Sequence, residues 1–177
     1  MKFSVQSSSS LKGKVALVTG GNIGLGYETV KALASRGAHV VLAARNEEKG
    51  RNAVKALMNE NPNASIEFLQ LDLASLESIR KSAEEFNKNH KVLDILVNNA
   101  AITPIGNAET TSEEHLDRVY ALNIKGVYNC IHAVIPFMKE NAGGVIINMA
   151  SVAGKVGIPD RFAYSVSKGA VLSMTMQ

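Results

Sequence analysis

One stretch constrains this 177-residue chain more than any other: Val18-Thr19-Gly20-Gly21-Asn22-Ile23-Gly24-Leu25-Gly26. Ahead of it, Lys14-Val15-Ala16-Leu17-Val18 is a short apolar run rich in branched residues, the pattern of a buried strand. Behind it, Leu25, Val30, Leu33 and Ala34 recur at helical spacing, and Gly37 supplies a stop. Strand, glycine turn and helix together bring a helix N-terminus and bare backbone N–H groups up to a pyrophosphate. A Cβ in such a turn blocks either the tight reversal or the approach of the phosphates. The glycines do not fit G-x-G-x-x-G; they read Thr-Gly-x-x-x-Gly-x-Gly from Thr19 to Gly26. A merely flexible loop would explain the glycines alone, but not the strand and helix that flank them.

The length suits one domain with a real core. A net charge of +3, with basic residues scattered rather than clustered, argues against nucleic acid or an anionic membrane surface as partner. The single cysteine, Cys130, excludes an internal disulfide framework and fits a reducing, cytoplasmic compartment. It sits among Val127, Ile131 and Val134 in a helical apolar pattern, the setting of a core thiol rather than a nucleophile. Residues 1–11 read as a flexible polar tail without a signal-peptide core, and no apolar run reaches membrane-spanning length. Residues 12–177 form the expected domain.

Further strands are expected over Ala38–Ala44, Ile66–Leu71, Leu93–Val97 and Val145–Met149. Helices start after Asn46, after Ser75 and at Thr111-Ser112-Glu113-Glu114, each with a capping residue. Another helix runs from about Asn123 to Met138, with Pro136 expected to kink its end, and a last one begins near Ala163. Strands separated by helices throughout predict an α/β fold: a Rossmann-like, doubly wound parallel sheet of order 3-2-1-4-5. A nucleotide would lie at the switch point between the first and fourth strands.

In such sheets an acid at the end of the second strand accepts from the ribose 2′-hydroxyl of NAD. Here that strand ends Leu42-Ala43-Ala44-Arg45, without the acid and with a guanidinium able to clamp a 2′-phosphate. NADP is therefore expected over NAD, the alternative for Arg45 being a solvated surface charge. Tyr164 and Lys168, four residues apart at the start of a helix, share one face. A phenol of ordinary pKa about 10 is a poor acid–base group at neutral pH. A neighbouring ammonium stabilises phenolate and lets it exchange a proton with a carbonyl or alkoxide oxygen. Ser151, at the end of the fifth strand, can donate a hydrogen bond to that oxygen, or serve only as a turn hydroxyl.

The set Thr19 to Gly26, Asn98 to Ala100, Asn123, Ser151, Tyr164 and Lys168 resembles the short-chain dehydrogenase/reductase family in order and spacing, from Lys12 to the last residue. The resemblance implies hydride transfer between a nicotinamide and a carbonyl or secondary alcohol of a small-molecule substrate, without a metal. It makes Tyr164 the proton donor or acceptor, Ser151 the group that orients the carbonyl, and Asn123 the holder of a water that relays protons from Lys168. Cofactor contacts fall to Thr19, Gly20, Asn22, Ile23, Gly24, Gly26, Arg45, Asp72, Leu73, Asn99, Ala100 and Ala101, with Tyr164 and Lys168 on the nicotinamide ribose. Asp72 is equally a helix-start acid ahead of Ser75, and Ala101 stands where the family has glycine. The family's sixth and seventh strands have no counterpart in these residues, which leaves two expectations: part of an active reductase, or a short nucleotide-binding or dimer-forming domain without turnover. Family members commonly form homo-oligomers through the helices starting near Asn123 and Ala163. The first half looks like retinol and carbonyl reductases, the second like 3-oxoacyl-carrier-protein reductases and sugar dehydrogenases.

Overall fold

A computed structural model describes residues 9–176, so residues 1–8 of the expected tail and Gln177 lie outside the described residues. Five parallel strands form one sheet: β1 (Val15–Thr19), β2 (His39–Ala44), β3 (Ser65–Gln70), β4 (Ile95–Asn98) and β5 (Val145–Asn148). Their order, β3-β2-β1-β4-β5, is the one the sequence predicts. The connecting helices are α1 (Gly24–Ser35), α2 (Glu47–Glu60), α3 (Leu76–Asn89), α4 (Glu113–Val119) and α5 (Val127–Glu140), and α6 (Phe162–Thr175) follows β5.

The strands read as unbroken apolar runs because both faces of the sheet are covered. Ala16, Val18, Val40 and Leu42 point to one face and pack with Val30 and Ala34 of α1 and Ala53 and Leu57 of α2. The intervening Leu17, Val41 and Ala43 point to the other, against Ile79 and Phe86 of α3 and Cys130 and Met138 of α5. The two edge strands are the exceptions: β3 carries Ser65, Glu67 and Gln70 among its apolar residues, and Val145 and Ile147 of β5 are 56% and 44% exposed. No helix among the described residues is long and apolar enough to cross a membrane.

The structure differs from the expected elements around Asn123 and at strand ends, where β2, β3, β4 and β5 start or stop one or two residues from the expected bounds. The helix expected from Asn123 is not uniform: Tyr120–Gly126 is a π-helical stretch and α5 begins only at Val127. The apolar spacing carries no trace of this, because Val127, Ile131, Val134 and Met138 all lie beyond the wide turn. α5 carries Pro136 within it and runs on to Glu140, two residues past the expected end. The proline is exposed, where water can satisfy the carbonyl it leaves unbonded. Leu93 lies ahead of β4 although it is buried. The next residue, Asp94, has its carboxylate engaged by Lys14 Nζ and by the Val15 N–H, both at 2.8 Å, which pins the start of β1.

Candidate active site

Thr19 closes β1 and is buried. Its Oγ1 accepts from the backbone N–H groups of Asn99 (3.0 Å) and Ala100 (3.2 Å), just beyond β4. Asn99 answers by donating Nδ2 to the carbonyls of Thr19 (3.0 Å) and Gly20 (3.3 Å). The turns after β1 and β4 are thus stitched into one rigid rim. Gly26 seals it: a Cβ there would sit 2.2 Å from the Gly20 carbonyl oxygen and 2.5 Å from Asn99 Nδ2. This last glycine is required by close packing of α1 on its own turn.

The helix that starts at this rim differs from its neighbours. Asn46, Ser75 and Ser112 each accept a backbone N–H at the starts of α2, α3 and α4. Ile23, at the same position of α1, makes no such bond, and its side chain is 75% exposed. The first-turn N–H groups of α1, beginning at Gly24, have no side-chain cap, and a helix N-terminus in that state is a ready site for an anion. It faces an open cleft of about 380 Å³. Gly20, Asn22 and Ile23 line one wall, and Asn99, Ala100 and Ala101 another. Ala101 adopts no left-handed backbone, so the turn is made without the glycine the family has there.

The third wall comes from the ends of β2 and β3. Arg45 is exposed at the lip, its carbonyl held by Gln70 Nε2 (3.3 Å), and among the described residues its guanidinium has no acidic partner. Asp72 serves the turn before α3 and also borders the cleft. Its Oδ1 accepts the Ala74 N–H (3.0 Å) in the turn leading to α3, and the residue also lines the cleft beside buried Leu73.

Ser151 follows β5, and α6 carries Tyr164 and Lys168, of which Lys168 reaches back to the end of β5; the three stand outside the lining of the cleft. Lys168 is only 4% exposed; its Nζ donates to the Met149 carbonyl and lies 5.7 Å from the centre of the Tyr164 ring. Burial pulls its pKa below the ordinary lysine range. The Tyr164 hydroxyl has no protein partner among the described residues. Ser151 accepts the Ala153 N–H (3.2 Å) at the head of a single 3-10 turn, Val152–Gly154, which leaves its own hydrogen free to donate.

Asn123 is buried in the π-helical stretch, where its amide brackets Ile102, accepting from the N–H and donating to the carbonyl, both at 2.9 Å. It also donates to Ser167 Oγ (3.0 Å), which in turn donates to the Tyr164 carbonyl (2.7 Å). Asn123 therefore reaches the turn of α6 that carries the Tyr–Lys pair, without contacting Lys168 itself. Ser167, Asn148 and the Met149 carbonyl escape the sequence reading. Asn148 accepts from Asn98 Nδ2 (2.8 Å), and the Met149 N–H donates to the Asn98 carbonyl (2.9 Å), joining the ends of β4 and β5. The Asn98–Asn148 match follows from strand register, visible only once the strands are aligned. Cys130 is a core thiol, and burial pushes it up to about 12.

The short chain dehydrogenase family model matches residues 14–177. An uncharacterized oxidoreductase of Thermotoga maritima is 40% identical over 166 residues, covering 94% of this chain and 64% of the relative. Cyclopentanol dehydrogenase of Comamonas testosteroni is 38% identical over 162 residues, covering 92% of this chain and 64% of the relative. Among solved structures, a metagenomic short-chain oxidoreductase in complex with NADP superposes with a TM-score of 0.88 at 34% identity, over 95% of this chain and 76% of its own. The chain thus spans a little under two thirds of the length of these two curated relatives.

Proposed function

The chain belongs to the short-chain dehydrogenase family, and on that premise we propose that it is an NADP-dependent oxidoreductase interconverting a carbonyl and a secondary alcohol of a small molecule. The observation that carries this reading is the Lys168 ammonium, buried beside the Tyr164 ring on the sheet edge where the uncapped start of α1 opens. The residues present fit a dinucleotide. Gly20, Asn22, Ile23 and Gly24 would hold the pyrophosphate through backbone N–H groups, Asp72 and Leu73 the adenine, and Tyr164 and Lys168 the nicotinamide ribose. Asn99, Ala100 and Ala101 would line its path. When bound, the nicotinamide supplies or accepts the hydride.

Arg45 favours a 2′-phosphate, since its free guanidinium offers a bidentate charged donor where an acid would be needed for NAD. NADP in the metagenomic relative supports the same choice. Tyr164 would pass its proton to, or take one from, the substrate oxygen. Ser151 would donate a hydrogen bond to that oxygen, and Asn123 would hold α6 and the proton path from Lys168 in place. The lone core thiol favours a cytoplasmic setting, and the family resemblance a homo-oligomer acting there.

The test is titration with NADPH and NADH followed by carbonyl-dependent NADPH oxidation across a panel of ketones, sugars and 3-oxoacyl thioesters. Tighter NADPH binding and turnover on one class are expected. Tighter NADH binding would overturn the cofactor assignment. NADPH binding without turnover would select the nucleotide-binding reading instead.

A further inference from the structure

We propose a second site, for a divalent cation of the zinc type, formed by His39, Glu67 and His90 at the amino-terminal edge of the sheet, at the opposite end of the strands from the cleft. One potential ligand atom from each of the three residues lies within 4.8 Å of the other two. His39 opens β2 and is in register with Ser65 of β3, and Glu67, two residues further on, falls on the same face as Ser65. His90 follows directly after α3. Two strands and a helix therefore converge on one point, though the three residues are widely separated in sequence.

Glu67 sits between the rings, with His90 Nε2 at 2.7 Å from Oε1 and His39 Nε2 at 3.7 Å from Oε2. The second distance is too long for a hydrogen bond, and His39 Nε2 is buried with no partner. The other ring nitrogen, Nδ1, lies 2.7 Å from Ser65 Oγ. In the tautomer in which Nδ1–H donates to that hydroxyl, Nε2 carries a bare lone pair facing the carboxylate side, as metal binding requires. A metal-bound histidine has this arrangement, its far nitrogen oriented by an outer hydrogen bond. Around a tetrahedral zinc, nitrogen and oxygen ligands stand about 3.3 Å apart. The observed 2.7 and 3.7 Å lie either side of that value and all three ligand atoms are within 4.8 Å of one another, so side-chain shifts of Glu67 and the two imidazoles would bring them onto one ion.

Two imidazoles and a carboxylate favour zinc over calcium or magnesium, which prefer all-oxygen sets. The carbonyl end of α3 adds a favourable potential for a cation beside His90. All three side chains keep some exposure, so the ion can enter from solvent and water can fill the fourth position. Bound there, it would clamp edge strand β3 and the end of α3 to β2.

The experiment uses the full chain, free of affinity tag and stripped of metal, titrated with zinc chloride by calorimetry and with cobalt(II) by visible absorption. One zinc per chain and a tetrahedral cobalt spectrum are expected. At a hundredfold excess over Kd the thermal midpoint should rise by about 5–10 °C. Glu67→Gln and His90→Gln should each weaken zinc binding by at least about tenfold while NADPH affinity is retained. Absence of saturable binding at one equivalent, or zinc affinity unchanged by either substitution, would overturn the site. Should a variant misfold, the wild-type cobalt spectrum decides: octahedral or absent bands refute it. None of these readouts depends on turnover.

Discussion

The two halves of the sheet's carboxyl edge handle their polar groups in opposite ways. On the nucleotide side, Thr19 and Asn99 are committed to the protein: their side chains lock two turns together, and what remains open is backbone, the uncapped N–H groups of α1. On the side of β5 and α6, backbone is tied up and side chains remain open. There the Met149 carbonyl takes the Lys168 ammonium, while the Tyr164 hydroxyl and the Ser151 hydrogen are unclaimed. On the proposed function the difference matches two tasks. A phosphate is held by a fixed array of donors, whereas a proton must leave and return, which requires a group that no neighbour has already claimed.

This contrast can be broken most decisively at Tyr164. Tyr164→Phe removes the mobile proton alone, so turnover should fall by about 10²–10⁴-fold with NADPH affinity nearly unchanged, as read by steady-state kinetics and fluorescence titration. A variant that keeps turnover would place the proton elsewhere. Arg45→Asp is the counterpart on the nucleotide wall. NADPH should bind about 10–100-fold more weakly and NADH should be spared, a loss appropriate to one charge-assisted contact. Gly26→Ala tests whether the rim is as rigid as its stitching implies. Forcing a methyl against the Gly20 carbonyl should reduce stability by about 1–3 kcal/mol in denaturant titration, and NADPH affinity should fall with it.

The smallest effect is the pH dependence of Lys168. Burial holds this lysine below its ordinary range, so between that lowered value and the unfolded one the native chain binds fewer protons than the unfolded chain. Stability should therefore rise with pH across that window. Lys168→Gln should flatten the rise in urea titrations made at a series of pH values.

Much of the β1–α1 region was legible in the chain because it is local. A strand, a glycine turn and a helix follow one another over Val15–Ser35, and strands alternating with helices throughout imply the doubly wound strand order. The capping residues Asn46 and Ser75 mark helix starts as their side chains would predict, whereas in the capping box read at Thr111–Glu114 the cap falls one residue later, on Ser112, and Thr111 Oγ1 donates to the Asn107 carbonyl instead. What could not be read depends on register and on distant partners. The π-helical turn that buries Asn123, the Asn98–Asn148 bond and the Ser167 link arise only when separate elements are brought side by side. The same holds for His39, Glu67 and His90, none of which stands in a recognisable ligand spacing along the chain.

The bonds between Thr19 and Asn99 span 80 positions. During synthesis the glycine loop emerges long before the segment that braces it, so on the proposed function a nucleotide could not template the earliest folding steps. Its capture would wait until roughly the first hundred residues have cleared the ribosome and β4 has docked beside β1.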